Sequence, residues 1–524
     1  IRNGLGWLHV AEKMEDNLSE INAFKEEILK AGFHHVLLMG MGGSSLTPLV
    51  FERTFPRDSQ ALSLTVLDST DPASILKIGR ALPIQDTLFI VASKSGTTAE
   101  PLAFAEYFYQ KVKKIKGERA GENFCVITDP GTPLVKMARE RSYRKTFLNF
   151  ADIGGRYSAL SYFGLVPAAL MGVDVSELLA RALRMRHACD SSVPARENPG
   201  LTLGAALGEL ARNHKRNKVT FLVPKTIASL GIWLEQLLAE STGKEGTGLL
   251  PVANEPIGEP AVYQNDRVFV YIRMKNSTDK NLQTSVSALR EAGQPVITIF
   301  LDDLLDLGQE FFRWEIATAT AGMILGINPF DQPNVQESKD NTNRLLAMVR
   351  TQGSLPEEKP SLVKRPLRIY FKETASTIPA TLKQFLDQVR PGSYLALMAY
   401  IAENSANQRA LQEIRQLLHD RLHVTTTLGY GPRFLHSTGQ FHKGGPKIGL
   451  FLQLTAEDAK DIPIPGEPYT FGVFKRAQAL GDLQALQNHR RRVGHVDLGP
   501  DVTLGLAALR KALEAALKPE RVKP

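Results

Sequence analysis

Short, almost wholly apolar runs alternate along this chain with amphipathic helical stretches. That alternation limits the fold more than any other feature. Residues 36–39, 62–67, 87–92, 124–128 and 147–150 read as buried strands, with a helical stretch over 102–114 between two of them. Strands separated by helices predict βαβ units and a doubly wound parallel sheet. The pattern restarts after a break of proline, asparagine and glycine at 194–200. Strands are then expected at 219–223, 268–272 and 296–300, and helices at 227–240 and 281–291. The reading is an α/β chain with two doubly wound parallel-sheet domains in tandem, residues 1–193 and 194–352. The stretch 353–366, "GSLPEEKPSLVKRP", is proline-rich and charged and reads as a linker. Residues 367–524 form a third, C-terminal α/β region, with strands expected at 367–371, 394–398 and 448–454 and an amphipathic helix at 502–517. A length of 524 residues fits several domains better than one core.

Composition narrows the class. Hydrophobic residues make up 43% and charged residues 23%, an ordinary globular balance. No apolar run reaches the roughly 18–20 residues of a membrane span. The nearest, 160–173, is broken by Gly164 and Pro167, so no membrane association is expected. The net charge of +8 suits nucleic acid or a small anionic substrate. The basic runs at 111–116 and 490–492 carry no interleaved aromatics for base stacking. Both read as solvated helix faces, and no nucleic-acid partner is expected. Two cysteines, Cys125 and Cys189, are too few for a disulfide framework or a four-cysteine metal site. A reducing cytoplasm is the expected setting. The chain opens at Ile1 with no initiator methionine and no signal-peptide pattern. A fragment, a processed chain and one half of a fusion all fit that start.

Two loops carry the first chemical signal. "GMGGSSLTP" follows the strand at 36–39, and "VASKSGTTAEP" follows the one at 87–92. The first lacks the last glycine of a dinucleotide fingerprint and the lysine of a P-loop. The second puts the hydroxyls of Ser93, Ser95, Thr97 and Thr98 within six residues, around Gly96. Hydroxyls and amides at a helix N-terminus suit a phosphate monoester. Either loop alone could be a tight turn or a helix cap. Two of them, each after a parallel strand, favour a shared phosphate at the strands' carboxyl ends.

Other candidates are weaker alone. Arg156 in "GGRYSALS" could face an anion or a developing oxyanion, or make a surface salt bridge. Glu240 in "LLAESTGKEGTG" ends an apolar helical stretch, where burial could suit it to general-base work. It could equally pair with Lys244 at i,i+4. "NPFDQPNVQESK" carries Gln332 and Lys339, and "FLHSTGQFHKGG" carries His436, Gln440 and His442. The pairs His436/His442 and His419/His423 lack a third ligand at diagnostic spacing, so structural histidines are expected and no metal.

Taken together, these stretches resemble the phosphoglucose isomerase family, whose sugar-isomerase (SIS) domains are doubly wound α/β folds that bind phosphosugars. "GGRYS" matches a family element outright, and "GMGGSSLTP", "SKSGTTAE", "ESTGK", "FDQPNVQESK" and "HSTGQFHKGG" each look like one, with Ser95 and Gly96 standing where the family's phosphate loop has threonine and phenylalanine. The resemblance implies two SIS domains and an aldose–ketose isomerase of glycolysis and gluconeogenesis that needs no cofactor and no metal. Its substrates would be D-glucose 6-phosphate and D-fructose 6-phosphate. Ser93, Lys94, Ser95 and Thr98 would hold the phosphate, with Gly43 and Ser44 close by. Glu240 would move the proton between carbons 2 and 1 through a cis-enediol, and Arg156 would stabilise the enediolate. His436 and Lys339 would open the ring, and Gln332 would contact sugar hydroxyls.

The order departs from the family. There the histidine element lies between the glutamate and lysine elements, whereas here His436 follows Lys339. The chain most resembles the isomerase half of a bifunctional transaldolase–phosphoglucose isomerase. The resemblance also implies a homodimer and leaves open which subunit supplies His436. Two rivals stand beside this reading. One is a dual phosphoglucose/phosphomannose isomerase, since epimer choice depends on pocket shape. The other is a non-catalytic phosphosugar-binding SIS module, which would need the loops but no base.

Overall fold

The computed structural model describes residues 4–518. Its first five strands are β1 (His35–Met39), β2 (Ser63–Leu67), β3 (Thr87–Ala92), β4 (Phe124–Thr128) and β5 (Lys145–Leu148). They form one sheet in the order β2-β1-β3-β4-β5, with every pairing parallel. β3 and β4 are buried along their whole length, which is why they read as unbroken apolar runs. The chain leaves β1 to one side for β2 and then crosses to β3 on the other. The crevice outside the carboxyl ends of β1 and β3 is therefore the sheet's switch point, where open α/β sheets take their ligands.

A second parallel sheet has the order β7-β6-β8-β9, from β6 (Lys218–Leu222), β7 (Leu250–Val252), β8 (Arg267–Met274) and β9 (Val296–Leu301). One hydrophobic cluster joins it to the first sheet. Leu178, Leu207, Phe311 and Trp314, from three helices, belong to that cluster with Trp7 and Ile90.

The third sheet is mixed. Its strands are β10 (Leu362–Lys364), β11 (Leu367–Tyr370), β12 (Tyr394–Tyr400), β13 (Thr425–Tyr430), β14 (Gly449–Thr455) and β15 (Arg492–Asp497), in the order β10-β11-β15-β14-β12-β13. β12 to β15 run parallel, and the β10–β11 hairpin lies antiparallel along β15.

Two expectations change here. The stretch read as a linker contains β10, which closes the edge of the third sheet. Residues 490–492 are no solvated helix face. Arg492 opens β15, and Arg491 is buried with Nη2 donating to the carbonyls of Lys443 and Gly445.

The third region is held over the first sheet by two helices, Val335–Gln352 and Phe471–Asn488, packed on each other. Phe471 stacks on Phe104 at 5.9 Å between ring centroids. Leu345, Leu346 and Val349 join the same cluster. Burying a side chain such as Phe471 contributes roughly 1.5–3 kcal/mol, so this seam fixes how the regions meet. Among the described residues, no helix is long and apolar enough to cross a membrane.

Candidate active site

The turn after β1 and the turn before Arg156 stack backbone on backbone. A Cβ on Gly43 would lie 1.9 Å from the carbonyl oxygen of Gly155, so only glycine fits there. Gly42 has φ +54, in the left-handed region, and starts a short 3₁₀ turn through Ser44. Ser44 is buried beside it.

The loop after β3 is tied at its base. The Ser93 backbone N–H donates to the Ile127 carbonyl at 3.0 Å, and its hydroxyl donates to Thr98 Oγ1 at 3.2 Å. Gly96 turns the loop with φ +65, where a Cβ would strike Thr132. Ser95 Oγ and Thr97 Oγ1 are 2.9 Å apart. Thr98 is the N-cap of helix Ala99–Lys116 and makes no side-chain capping bond. The positive end of that helix is left without a side-chain acceptor.

Ser95, Thr97 and Thr98 line a cavity of about 400 Å³ with Lys339, His436 and Gln478. Residues from all three regions of the chain therefore meet at one opening. Lys339 is exposed there and has no hydrogen-bond or ion-pair partner among the described residues. Lys94 departs from expectation. Its ammonium pairs with the Asp129 carboxylate and donates to the Ala151 carbonyl, and its side chain is not part of the lining.

A buried polar chain holds His436. Its Nε2 lies 3.0 Å from Glu100 Oε1, which also accepts from Gln478 Nε2 at 2.7 Å. Gln478 Oε1 in turn accepts from Thr70 Oγ1 at 2.7 Å. Burial pushes the Glu100 carboxyl up, but the facing His436, a backbone hydrogen bond and the Lys339 charge together more than offset this, and the net shift is downward. An ionised Glu100 accepts from Nε2–H, so Nδ1 is the ring nitrogen left for a ligand.

Glu240 sits near the end of helix Leu230–Thr242 and is buried. Its Oε2 accepts from Gln236 Nε2 at 2.8 Å, and its Oε1 is 3.4 Å from Arg156 Nη1. The expected alternative partner, Lys244, is engaged elsewhere, with Asp331 and the Asn328 carbonyl. Arg156 is 3% exposed. It donates to Ser241 Oγ at 2.6 Å, Gln332 Oε1 at 3.0 Å and the carbonyls of Pro329 and Asp331 at 2.7 and 3.0 Å. Every arm of the guanidinium is fixed, with Nη1 presented to Glu240.

Gly42 links the two clusters. A Cβ on it would lie 3.0 Å from Gln236 Nε2 and 3.1 Å from His436 Cβ. The residues with Glu240 and those with His436 thus flank one glycine turn. Gln440 closes the far side, donating to the Gly243 carbonyl at 2.9 Å and to Asn334 Oδ1 at 2.8 Å.

Glu100, Gln236, Ser241 and Gln478 were not among the sequence candidates. Glu100 closes the quoted hydroxyl-rich loop, and Gln236 lies one helical turn before Glu240, so both had a local signal. Gln478 had none. The remaining histidines lie apart from this cluster. His442 is buried 3.0 Å from the Tyr394 hydroxyl, and burial holds it well below the usual imidazole range. His419 Nδ1 lies 2.9 Å from Asp420 Oδ1. Among the described residues, no three His, Cys, Asp or Glu side chains gather to hold a metal ion.

Comparison with known proteins adds an independent line. Residues 8–254 match the family model described as phosphoglucose isomerase. A glucose-6-phosphate isomerase of Parabacteroides distasonis is 27% identical over 392 residues, covering 65% of this chain and 87% of that one. One from Thermus thermophilus is 28% identical over 385 residues, covering 66% and 90%. A crystal structure described as a hypothetical protein of Thermus thermophilus superposes with a TM-score of 0.60 at 28% identity, covering 66% of this chain and 91% of that one. A glucose-6-phosphate isomerase structure from Chlamydia trachomatis gives a TM-score of 0.54 at 24% identity, covering 63% and 74%, a likeness of fold.

Proposed function

We infer that this chain is an aldose–ketose isomerase of the phosphoglucose isomerase family, interconverting D-glucose 6-phosphate and D-fructose 6-phosphate. One observation carries the reading. The hydroxyl loop, the His436–Glu100 pair and the Glu240–Arg156 pair converge around one glycine turn. The family match and the relatives' names support it.

The phosphate binds at Ser95, Thr97 and Thr98 and at the open N-terminus of helix Ala99–Lys116, with Ser93 holding Thr98 in place. Ser44 and the Gly43 turn form the neighbouring wall. Lys94 fastens the loop to Asp129 instead of contacting phosphate.

His436 exchanges a proton with the cyclic sugar as the ring opens, and Glu100 keeps its tautomer. Lys339 offers the complementary charge from across the cavity. In the open chain, the proton on carbon 2 is acidified by the adjacent carbonyl. Glu240 removes it to give a cis-enediolate and returns it to carbon 1. Arg156 faces the charge that builds on oxygen, already oriented by its own hydrogen bonds. Gln332, held by Arg156, contacts the sugar hydroxyls.

Because His436 and Glu100 meet within one chain, we propose that one chain supplies the whole site, whether or not it dimerises. The homodimer and the transaldolase fusion rest on the family resemblance and the order of the motifs. The cytoplasmic setting rests on two free cysteines, Cys125 and Cys189. The test is a coupled assay on the purified chain. Turnover of glucose 6-phosphate to fructose 6-phosphate is expected. Binding of either sugar phosphate without turnover would favour a sensor instead.

A further inference from the structure

We propose a second anion site, built by Arg491, Arg490 and Lys447, that takes the phosphate group of a small phosphorylated molecule. These residues line a cavity of about 410 Å³ together with Asn334, Asn488 and Glu245. It shares no lining residue with the cavity around His436.

The strongest observation is Arg491. It is 9% exposed, yet its Nε and Nη1 have no hydrogen-bond partner among the described residues. Only Nη2 is used, on the two carbonyls of the Lys443–Gly445 turn. Among the described residues, no carboxylate pairs with it. A buried cation without a counter-ion is costly to maintain. Burial already pushes this guanidinium below its ordinary value. Nε and Nη1 are themselves shielded from solvent, so an anion held in the cavity would offset that cost through its charge.

The surrounding charges set the ligand's class. Lys447 and Arg490 are exposed and pair with no carboxylate among the described residues. The other basic side chains of the lining are already engaged. Lys443 lies 3.0 Å from Asp482, and His489 lies 2.6 Å from Glu337. Glu245 is the one acid among the lining residues. Three free cations against one carboxylate leave a surplus of two positive charges. That surplus matches a phosphate monoester, which carries about −1.5 to −2 at neutral pH. The cavity also touches the joint of the fold. Asn334 is the N-cap of the helix that carries Lys339 and accepts from Gln440. An anion here would lie beside that joint.

The experiment is titration calorimetry with inorganic pyrophosphate at fixed ionic strength. It compares the wild type with Lys447→Glu/Arg490→Glu, two exposed positions outside the isomerase cavity. The wild type should show one more site than the double variant, or that site should weaken at least tenfold. Isomerase turnover, measured separately, should be equal in the two proteins, so a failure of the isomerase reading leaves this result interpretable. Arg491→Lys, checked for native circular dichroism, should weaken the same site. Equal pyrophosphate binding in wild type and double variant would overturn the proposal. So would a second site that takes chloride as tightly as pyrophosphate, which would mean diffuse attraction only.

Discussion

Nε2 of His436 lies 3.0 Å from Oε1 of Glu100, although 336 positions separate the two residues in the chain. The helix seam between Val335–Gln352 and Phe471–Asn488 makes this possible by laying the third region over the first sheet. The pair therefore forms without a second chain.

The first prediction follows. His436→Ala should be slow on cyclic glucose 6-phosphate, by the roughly 10²–10⁴-fold typical of a lost acid–base group. It should keep proton exchange on an open-chain substrate. Mixing His436→Ala with Glu240→Gln after mild dissociation should recover no activity, because the proposed site draws all its residues from one chain. Recovery of activity on mixing would show that the site is shared between chains.

Glu100→Gln should act through His436. The amide keeps the size of the side chain but no longer selects Nε2–H, so turnover on the cyclic sugar should fall while KM stays near that of the wild type. The pH profile of kcat should also move. An unchanged profile would mean that Glu100 has only a packing role.

The phosphate loop can be tested one hydroxyl at a time. Thr98→Val should weaken substrate binding by about 1.5 kcal/mol, roughly tenfold, since hydrogen bonds to charged groups are the stronger ones. Unphosphorylated glucose should bind far more weakly than its 6-phosphate. Lys94→Ala should affect KM less than Thr98→Val does, because Lys94 is held by Asp129. The reverse ranking would return Lys94 to the phosphate.

Glu315 makes a stability prediction. It is fully buried, and neither carboxyl oxygen has a hydrogen-bond partner among the described residues. Burial holds it well above the ordinary 4.5. The folded protein keeps this proton after the unfolded chain has released its own. The contribution to stability is therefore complete below pH 4.5 and is lost as pH rises towards the folded value. The slope is about 1.4 kcal/mol per pH unit. Glu315→Gln removes this dependence, so its urea midpoint should gain on the wild type between pH 5 and 7. Parallel midpoints at the two pH values would contradict the assignment.

The buried apolar strands were legible in the sequence, and several polar ones were not. β1, β3 and β4 stand in continuous apolar runs. β7 is only "LPV", three residues containing a proline. β13 opens "TTT" and β15 reads "RVGHVD". β15 nevertheless lies inside the third sheet, because its polar side chains find distant partners. Asp497 meets Arg368, and His495 meets Thr455. Such pairs exist only once the sheet has formed, and no local pattern announces them.

The site shows the same division. The hydroxyl loop and the glycine turns are contiguous stretches, so their tight turns and clustered hydroxyls read directly. Lys94 sits in the hydroxyl loop, but Asp129, across a sheet crossover, sets its direction. Gln478 reaches Glu100 from 378 positions away. Arg491 read as a surface arginine because its buried carbonyl acceptors belong to a turn far upstream.

Glu240 carries the central claim, and isotope transfer tests it most directly. Glucose 6-phosphate labelled with deuterium at carbon 2 is incubated with the protein in ordinary water, and the label at carbons 1 and 2 is followed by NMR. The wild type should move part of the label to carbon 1 of fructose 6-phosphate and lose the rest to solvent. Glu240→Gln should do neither at a comparable rate, while still binding the sugar phosphate. Label transfer and washout by Glu240→Gln at the wild-type rate would contradict the account.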